Sequence, residues 1–531
     1  MTSASSTTQP AYWSKFDLES GDLEFIYNLL LDREVPLTST EMAHALIARR
    51  LDRLAAQAAS SAQLATQVYA PGGEFQRDQE LVFPSLGGRI GRVVGIRPGV
   101  NPDLGAFDVL QVEFAGDGGR REFASRLADH QLNRRPEPEP EAEPLDTPQA
   151  VLASFGTVVE ARLAERLAEQ ADIVRIAGRW FPRALLADIN SGHLNLAEAV
   201  LDVAGGGPLP TRALLEHVDL PPTIDPLLAE FSLDYALQED ERFDEVGPAG
   251  QVLWFLGRLE PPEVLYPPPR LAFHETAYDR GRLTDELLAL ERELDDEFSP
   301  LEPPRQAPEE IVLSLLFPHW RMGTLPLSSR LRPLFPTAYE APRIRFILVD
   351  GHSGAKFPGW VVRKERFVSG LEDWYRRTDL PTGGQIRVRR GEEPGEVIVE
   401  ALDRRKRHDW IRTVAISADH QIGFTMLKQP IGSGYDDRMV VGLPNPAALD
   451  EAWLRGDQRK LPLDRLVLHV FRELAKLNPQ SAVHAQALYS GVNVLRRLPP
   501  GPIFAELVTR PHFAHVGDNY FRLDESAGGA A

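Results

Sequence analysis

A short fragment is written twice in this chain, and it limits the possible folds more than any other feature. Asp240–Leu256 reads DERFDEVGPAGQVLWFL and Arg510–Leu523 reads RPHFAHVGDNYFRL. Both place Phe-x-x-Val-Gly (Phe243, Val246, Gly247; Phe513, Val516, Gly517) ahead of a short turn and an apolar strand. Apolar runs on either side of a Gly-Pro or Gly-Asp-Asn corner predict β-hairpins. Each fragment follows two or three short helical patterns, and helices leading into a hairpin describe a winged helix. The N-terminus carries a third, less complete pattern. The expected fold class is α+β and multidomain, with two or three winged-helix domains plus two small β-barrel-like domains.

At 531 residues the chain exceeds what a single core supports, so several domains are expected. The boundaries follow composition and periodicity. Residues 16–67 read as helical, an incomplete winged helix in which Thr38 and Glu41 form a capping box. Arg49, Arg50 and Arg53 on that helix read as a solvated basic face. Residues 68–134 alternate apolar and polar between Gly/Pro turns, as in an SH3-like β-barrel. Residues 135–150, RPEPEPEAEPLDTPQA, read as a disordered Pro/Glu linker. Residues 151–262 read as a helix plus a winged helix, with Asp225-Pro226 opening its third helix. Residues 263–310 hold Pro-rich segments around an acidic helix, Leu283–Phe298, expected to pack on a neighbouring domain. Residues 311–430 read as a basic β-barrel, and 445–525 as a C-terminal winged helix with an unbroken apolar stripe from Leu463 to Leu477.

Charge divides the chain by function. Residues 135–310 hold 14 basic and 36 acidic side chains, a net of −22, whereas 311–531 hold 31 and 24, a net of +7. Phosphate binding needs a local positive face. DNA is therefore the candidate partner of 311–531, and a protein is the candidate partner of acidic 194–310. Within 311–430, Arg363, Lys364, Arg366, Arg376, Arg377, Arg387, Arg389, Arg390, Arg404, Arg405, Lys406 and Arg407 are interleaved with Trp360, Trp374, Tyr375 and Trp410. Arginine with aromatics can grip phosphate and stack bases. Two-residue periodicity puts Arg387 and Arg389 on one strand face. In the C-terminal unit, Arg496, Arg497 and Arg510 flank the third helix and complete the candidate nucleic-acid-binding set. Around the earlier hairpin, Glu230 and Asp234 predict an acidic surface.

The C-terminal unit resembles the HARE-HTH winged helices, through its amphipathic first helix, short second helix and closing Phe513-x-x-Val516-Gly517-x-x-x-Phe521-x-Leu523. Residues 194–259 resemble the same family. That family includes the RNA polymerase delta subunit and domains attached to restriction and chromatin proteins; the resemblance identifies no partner, and RNA polymerase is one candidate for the protein partner of 194–310. Residues 340–416 resemble a DNA-binding pseudobarrel of plant transcription factors and restriction enzymes, carried by a strand, the helix GLEDWY and LPTGGQIRVRR.

Catalytic signals are missing. There is no cysteine, no phosphate loop and no Gly-x-Ser-x-Gly elbow. No catalytic or metal-binding residue and no cofactor is expected, although dispersed carboxylates such as Asp350, Glu365 and Asp373 leave a nuclease open. No apolar run reaches the roughly 20 residues of a membrane helix, and the first residues lack a signal-peptide pattern, so a cytoplasmic protein without a membrane partner is expected. The reading is a non-catalytic DNA-binding or transcription-associated protein. The alternatives are a protein–protein scaffold and the recognition part of a restriction or defence nuclease.

Overall fold

In the computed structural model, which describes residues 10–65, 68–86, 89–101, 105–114, 119–133, 147–338 and 341–524, the chain divides into two compact units, 1–187 and 188–531. The first begins with α1 (Pro10–Ser14), α2 (Ser20–Arg33), the two-residue strand β1 (Leu37–Thr38) and the long helix α3 (Ser39–Ala65). The capping box at its start is present. The Glu41 N–H donates to Thr38 Oγ1 at 3.1 Å, and the Thr38 N–H donates to Glu41 Oε2 at 2.7 Å. An antiparallel sheet follows, β2 (Glu80–Phe83), β3 (Arg89–Pro98), β4 (Asp108–Phe114) and β5 (Arg120–Ser125), with the strands in sequence order. Tyr69, Leu81, Phe83, Val93, Leu110, Val112 and Phe114 form its core.

Only then does α4 (Pro148–Ala168) appear, capped by the Thr147 hydroxyl, which accepts from the Ala150 N–H. Hairpin β6 (Ile173–Ile176) and β7 (Arg179–Pro182) closes the unit. Ala177 and Gly178 both have positive φ, the two-residue turn that matches strand twist. Strand β1 pairs with β7, and one core joins Trp13, Ile26, Leu30, Met42, Leu46, Val159, Leu163 and Trp180.

The second unit begins the same way: α5 (Ser191–Val203), β8 (Leu209–Pro210), α6 (Thr211–Leu215), α7 (Pro226–Gln238) and the hairpin β9 (Phe243–Glu245) and β10 (Leu253–Leu256). Helices α8 (Pro262–Leu265) and α9 (Asp285–Leu294) follow. A seven-stranded sheet is then built from β11 (Glu310–Ser314), β12 (Thr324–Pro326), β13 (Arg343–Asp350), β14 (Lys356–Val362), β15 (Phe367–Ser369), β16 (Gln385–Arg390) and β17 (Glu396–Ala401), in the order β11-β16-β17-β13-β14-β15-β12. Helix α10 (Phe317–Met322) lies between β11 and β12, and α11 (Glu372–Arg377) between β15 and β16. A separate two-stranded ribbon comes next, β18 (Asp403–Ile416) and β19 (Ile422–Ser433). The chain ends with α12 (Pro446–Arg455), α13 (Leu463–Ala475), β20 (Val483–His484), α14 (Ala485–Leu495), α15 (Pro500–Thr509), β21 (Phe513–Gly517) and β22 (Tyr520–Leu523).

Three segments among the described residues share one topology: helix, short strand, helix, helix, hairpin, with the short strand against the last strand. The sheet orders are β1-β7-β6, β8-β10-β9 and β20-β22-β21. Register makes the equivalence residue by residue. Leu37 stands opposite Trp180, Leu209 opposite Trp254 and Val483 opposite Phe521. Ile173, Phe243 and Phe513 open the three hairpins, all buried. The indole N–H of Trp180 donates to Ser39 Oγ at 3.0 Å, and that of Trp254 to Thr211 Oγ1 at 3.2 Å. In the third segment the ring is Phe521, without a donor, and the position two residues after Val483 is Ala485, without an acceptor. A buried N–H favours a nearby acceptor, and the two segments that carry the indole also carry the hydroxyl.

Several sequence expectations are corrected. The N-terminal segment is completed by α4 and β6–β7, so residues 151–187 belong to the first unit and the division at 151–262 does not hold. The expected linker, 135–150, falls mainly on 135–146, outside the described residues, and its end, Pro148–Ala150, already belongs to α4. The 311–430 block is a seven-stranded sheet plus a separate ribbon. Arg50 is no solvated residue: it is buried, with Nε 3.1 Å from Asp22 Oδ1 and Nη1 2.7 Å from Glu19 Oε1. The two hairpin glycines differ. Gly517 adopts φ +101°, whereas Gly247 is required because a Cβ there would overlap the Gln251 carbonyl. The acidic helix packs as expected, with Leu283, Leu287 and Leu290 in the core of the C-terminal segment.

Candidate nucleic-acid interface

The arginines of the seven-stranded sheet mostly find partners within the fold. Arg387 stands opposite Glu400 across β16 and β17, with Nη1 3.0 Å from Glu400 Oε1 and Nε 3.5 Å from Glu310 of β11. Arg389 shares that face and is exposed. Arg390 donates to the Pro333 carbonyl, Arg363 to that of Ala341 and Arg366 to that of Glu297. Arg376 pairs with Glu372 and Asp373, both at 2.9 Å. Arg377 lies over the Phe357 ring, and Lys364 is exposed. The expected aromatic stacking surface is absent from this sheet. Trp360, Trp374 and Tyr375 are core residues, since strand alternation and the short helix α11 point them inward.

The C-terminal segment offers even less. Arg497 is a correction to the candidate set: its side chain is 0% exposed, with Nη2 2.7 Å from both Asp296 Oδ2 and Glu297 Oε1. A buried, doubly paired guanidinium cannot reach phosphate. Arg496 donates to the Leu461 carbonyl at 3.0 Å, and Arg510 to Glu506 at 2.7 Å. Every residue of α14 is buried, and so is α15 through Ala505. Phe273, Tyr278, Leu283, Leu287 and Leu290 share the core with these helices. A helix that reads a groove must present an open face, and α15 has little to present.

The hairpin of the second segment is also occupied. The Arg345 N–H of β13 donates to the Val246 carbonyl at 2.9 Å, and Arg343 Nε lies 3.0 Å from Glu260 and 2.8 Å from Asp244. Val246 and Phe255 share a core with Trp360, Val362 and Phe367. Asp234, expected on an acidic surface, is buried. Burial raises its pKa to about 7, against the lowering effect of hydrogen bonds from Thr211 and Trp254. Glu230 remains near the surface, paired with Arg212 at 3.2 Å.

The ribbon β18–β19 is different. Its strands pair in register from Arg407↔Ile431 to Ile416↔Ile422. Alternation directs Ile411 and Ile431 inward onto Val441 and turns Trp410 outward, where it is 65% exposed and stands directly opposite Lys428. His408, on the same face and opposite Pro430, is exposed, as are Arg405, Lys406 and Arg407. Arg405, Lys406 and Lys428 enter no ion pair among the described residues. Arg404 and Arg407 both bond Asp409, and Arg404 lies over the Tyr435 ring, 4.3 Å from its centroid. Desolvation would raise the Asp409 pKa, but hydrogen bonds from Arg407, Tyr435 and Arg404 outweigh it and hold it below the ordinary carboxylate value. Arg412 braces the ribbon through the carbonyls of Asp437, Arg438 and Met439. The sequence names Trp410 among the aromatics but not Lys428 or His408. The alternation in His-Asp-Trp-Ile-Arg-Thr-Val was the available signal, since buried Ile411 and Thr413 leave Trp410 on the opposite face.

The dispersed carboxylates are also used locally, Asp350 by Ser353 and Asp373 by Arg376. Among the described residues no group of three His, Asp or Glu side chains could hold a metal ion, and no helix is long and apolar enough to cross a membrane. Comparison of the chain with protein-family models, curated proteins and solved structures returns no match.

Proposed function

We propose that the protein binds nucleic acid through the ribbon β18–β19, and that its three helix–hairpin segments are winged helices that serve mainly as structural modules. The observation that supports this reading is Trp410, an exposed aromatic on the ribbon, opposite Lys428 and on the same strand as Arg405 and Lys406, which enter no ion pair among the described residues. An exposed ring offers a stacking face to an unpaired base, and the flanking cations follow the backbone. A single strand is therefore the ligand class, because a duplex keeps its base faces covered. Trp410→Ala should weaken binding of a labelled oligonucleotide to the full chain by about 5- to 150-fold, the range of one base–aromatic stack. Arg405→Glu with Lys406→Glu should weaken it further and flatten its dependence on salt. Unchanged affinity in both variants, with the fold intact by circular dichroism, would remove the ribbon as the binding surface.

A second reading, a scaffold for a protein partner, has its own support. Val203 is 92% exposed and Tyr266 77% exposed, with Leu196 and Leu259 also exposed, in the most acidic part of the chain. Pull-down that depends on Val203 and Tyr266 but not on Trp410 would favour it.

A further inference from the structure

The underside of the ribbon borders a second feature. A cavity of about 250 Å³ at the acidic loop 295–297 has its carboxylates bonded internally, but a smaller one of about 240 Å³ lies between β19, the loop 379–382 and residues 441–444. Its lining includes Trp320, Thr382, Gln429 and the exposed Asp379. Thr382 is 1% exposed, and its hydroxyl has no hydrogen-bond partner among the described residues. Native structures rarely leave such a group unsatisfied without a water, an ion or a ligand. The space far exceeds the roughly 30 Å³ share of one water.

The lining limits what could enter. Among the described residues it contains no lysine, arginine or histidine, so a phosphate would meet the Asp379 carboxylate with no counter-charge from them. A hydrocarbon would leave the Thr382 hydroxyl unsatisfied. A flat, neutral group with both donors and acceptors fits these walls, and a carboxylate selects an exocyclic amino group, as it does on cytosine N4. The cavity also lies beside the basic run. Gln429, Pro430 and Ile431 stand directly across from Asp409, His408 and Arg407, one strand spacing of about 4.8 Å away.

We infer that this cavity receives one unstacked nucleobase carrying an exocyclic amino group, from the strand held on the ribbon. The inference rests on the ribbon reading, and the test separates the two. Full-length protein is titrated with labelled oligo(dC), oligo(rC) and oligo(dT) by fluorescence anisotropy. A cytosine homopolymer of either backbone should bind about ten-fold more tightly than oligo(dT), the scale of one specific base contact. Asp379→Asn should reduce that ratio to near one while leaving oligo(dT) binding in place. Thr382→Val, nearly isosteric, should weaken cytosine binding several-fold without lowering thermal stability, an outcome a purely structural hydroxyl would not give. Trp410→Ala should weaken all three ligands alike. Equal binding of cytosine and thymine homopolymers by the wild type, or a ratio untouched by Asp379→Asn, would mean that the cavity holds water only. A loss with Trp410→Ala would in that case leave the ribbon reading standing.

Discussion

Arg497→Met is expected to lower the stability of the 188–531 unit by about 3–5 kcal/mol, the cost of removing one partner from a buried ion pair. The guanidinium is closed on every side. Nε lies 3.2 Å from Glu297 Oε1, Nη2 2.7 Å from Asp296 Oδ2, and Nη1 donates to Asn493 Oδ1 and the Leu498 carbonyl at 3.1 and 2.9 Å. Tyr489 donates to Asp296 at 2.5 Å, and the His319 ring lies 3.0 Å from Glu297. Burial and the neighbouring Glu297 raise the pKa of Asp296. For Glu297, burial is outweighed by the attraction of Arg497 and His319, which lowers it. Without the arginine, two buried carboxyls would share no cation. Urea denaturation of the full chain measures the loss, with Arg496→Met as the neighbouring control. That guanidinium gives up only hydrogen bonds to carbonyls, so its expected cost is about 1 kcal/mol. Equal costs in the two variants would show that the buried network does not hold the acidic loop to the C-terminal segment.

The same residue shows why charge was poorly legible in the sequence. A string of letters locates Arg497 beside Arg496, but not the carboxylates that arrive from two hundred positions upstream. Arg387 likewise meets Glu310 and Glu400 only once β11, β16 and β17 are aligned. Local signals fared better. The capping box at Thr38, the N-cap at Asp225 and the buried phenylalanines 243 and 513 depend on neighbours a few residues away, and these were readable. The N-terminal segment was incomplete on paper because 82 residues, 66–147, separate its second helix from its third. A pairwise search for Leu-x-Ser/Thr followed by a distant Trp would have joined Leu37, Ser39 and Trp180 to Leu209, Thr211 and Trp254. Trp410 was legible as an aromatic, and the alternation around it as two strand faces, but which of the two is covered depends on where Val441 packs.

Asp234→Asn should remove a pH dependence that the wild type carries between about pH 4 and 7. The carboxyl is almost fully buried. Its Oδ1 accepts from the Trp254 indole N–H at 2.9 Å and from the Thr211 hydroxyl. Burial raises its pKa to about 7, well above the roughly 3.9 of an unfolded chain. Below about pH 4 both states hold the proton, and the group costs nothing. As pH rises toward 7 the unfolded chain releases its proton while the folded chain keeps it, so folding stability falls. Above pH 7 both are ionised and the loss levels off at about 4 kcal/mol, three pKa units at roughly 1.4 kcal/mol each. The asparagine variant keeps an acceptor for Trp254 and carries no charge, so it should overtake the wild type as pH rises. Unfolding free energies of the two proteins, measured from pH 4 to 8, should therefore diverge steadily up to about pH 7 and run parallel beyond it. A constant difference across that range would mean that Asp234 does not titrate there. The equivalent indole, that of Trp180, is satisfied by Ser39 alone, so the second helix–hairpin segment alone should show this behaviour, and the titration should leave the 1–187 unit unaffected.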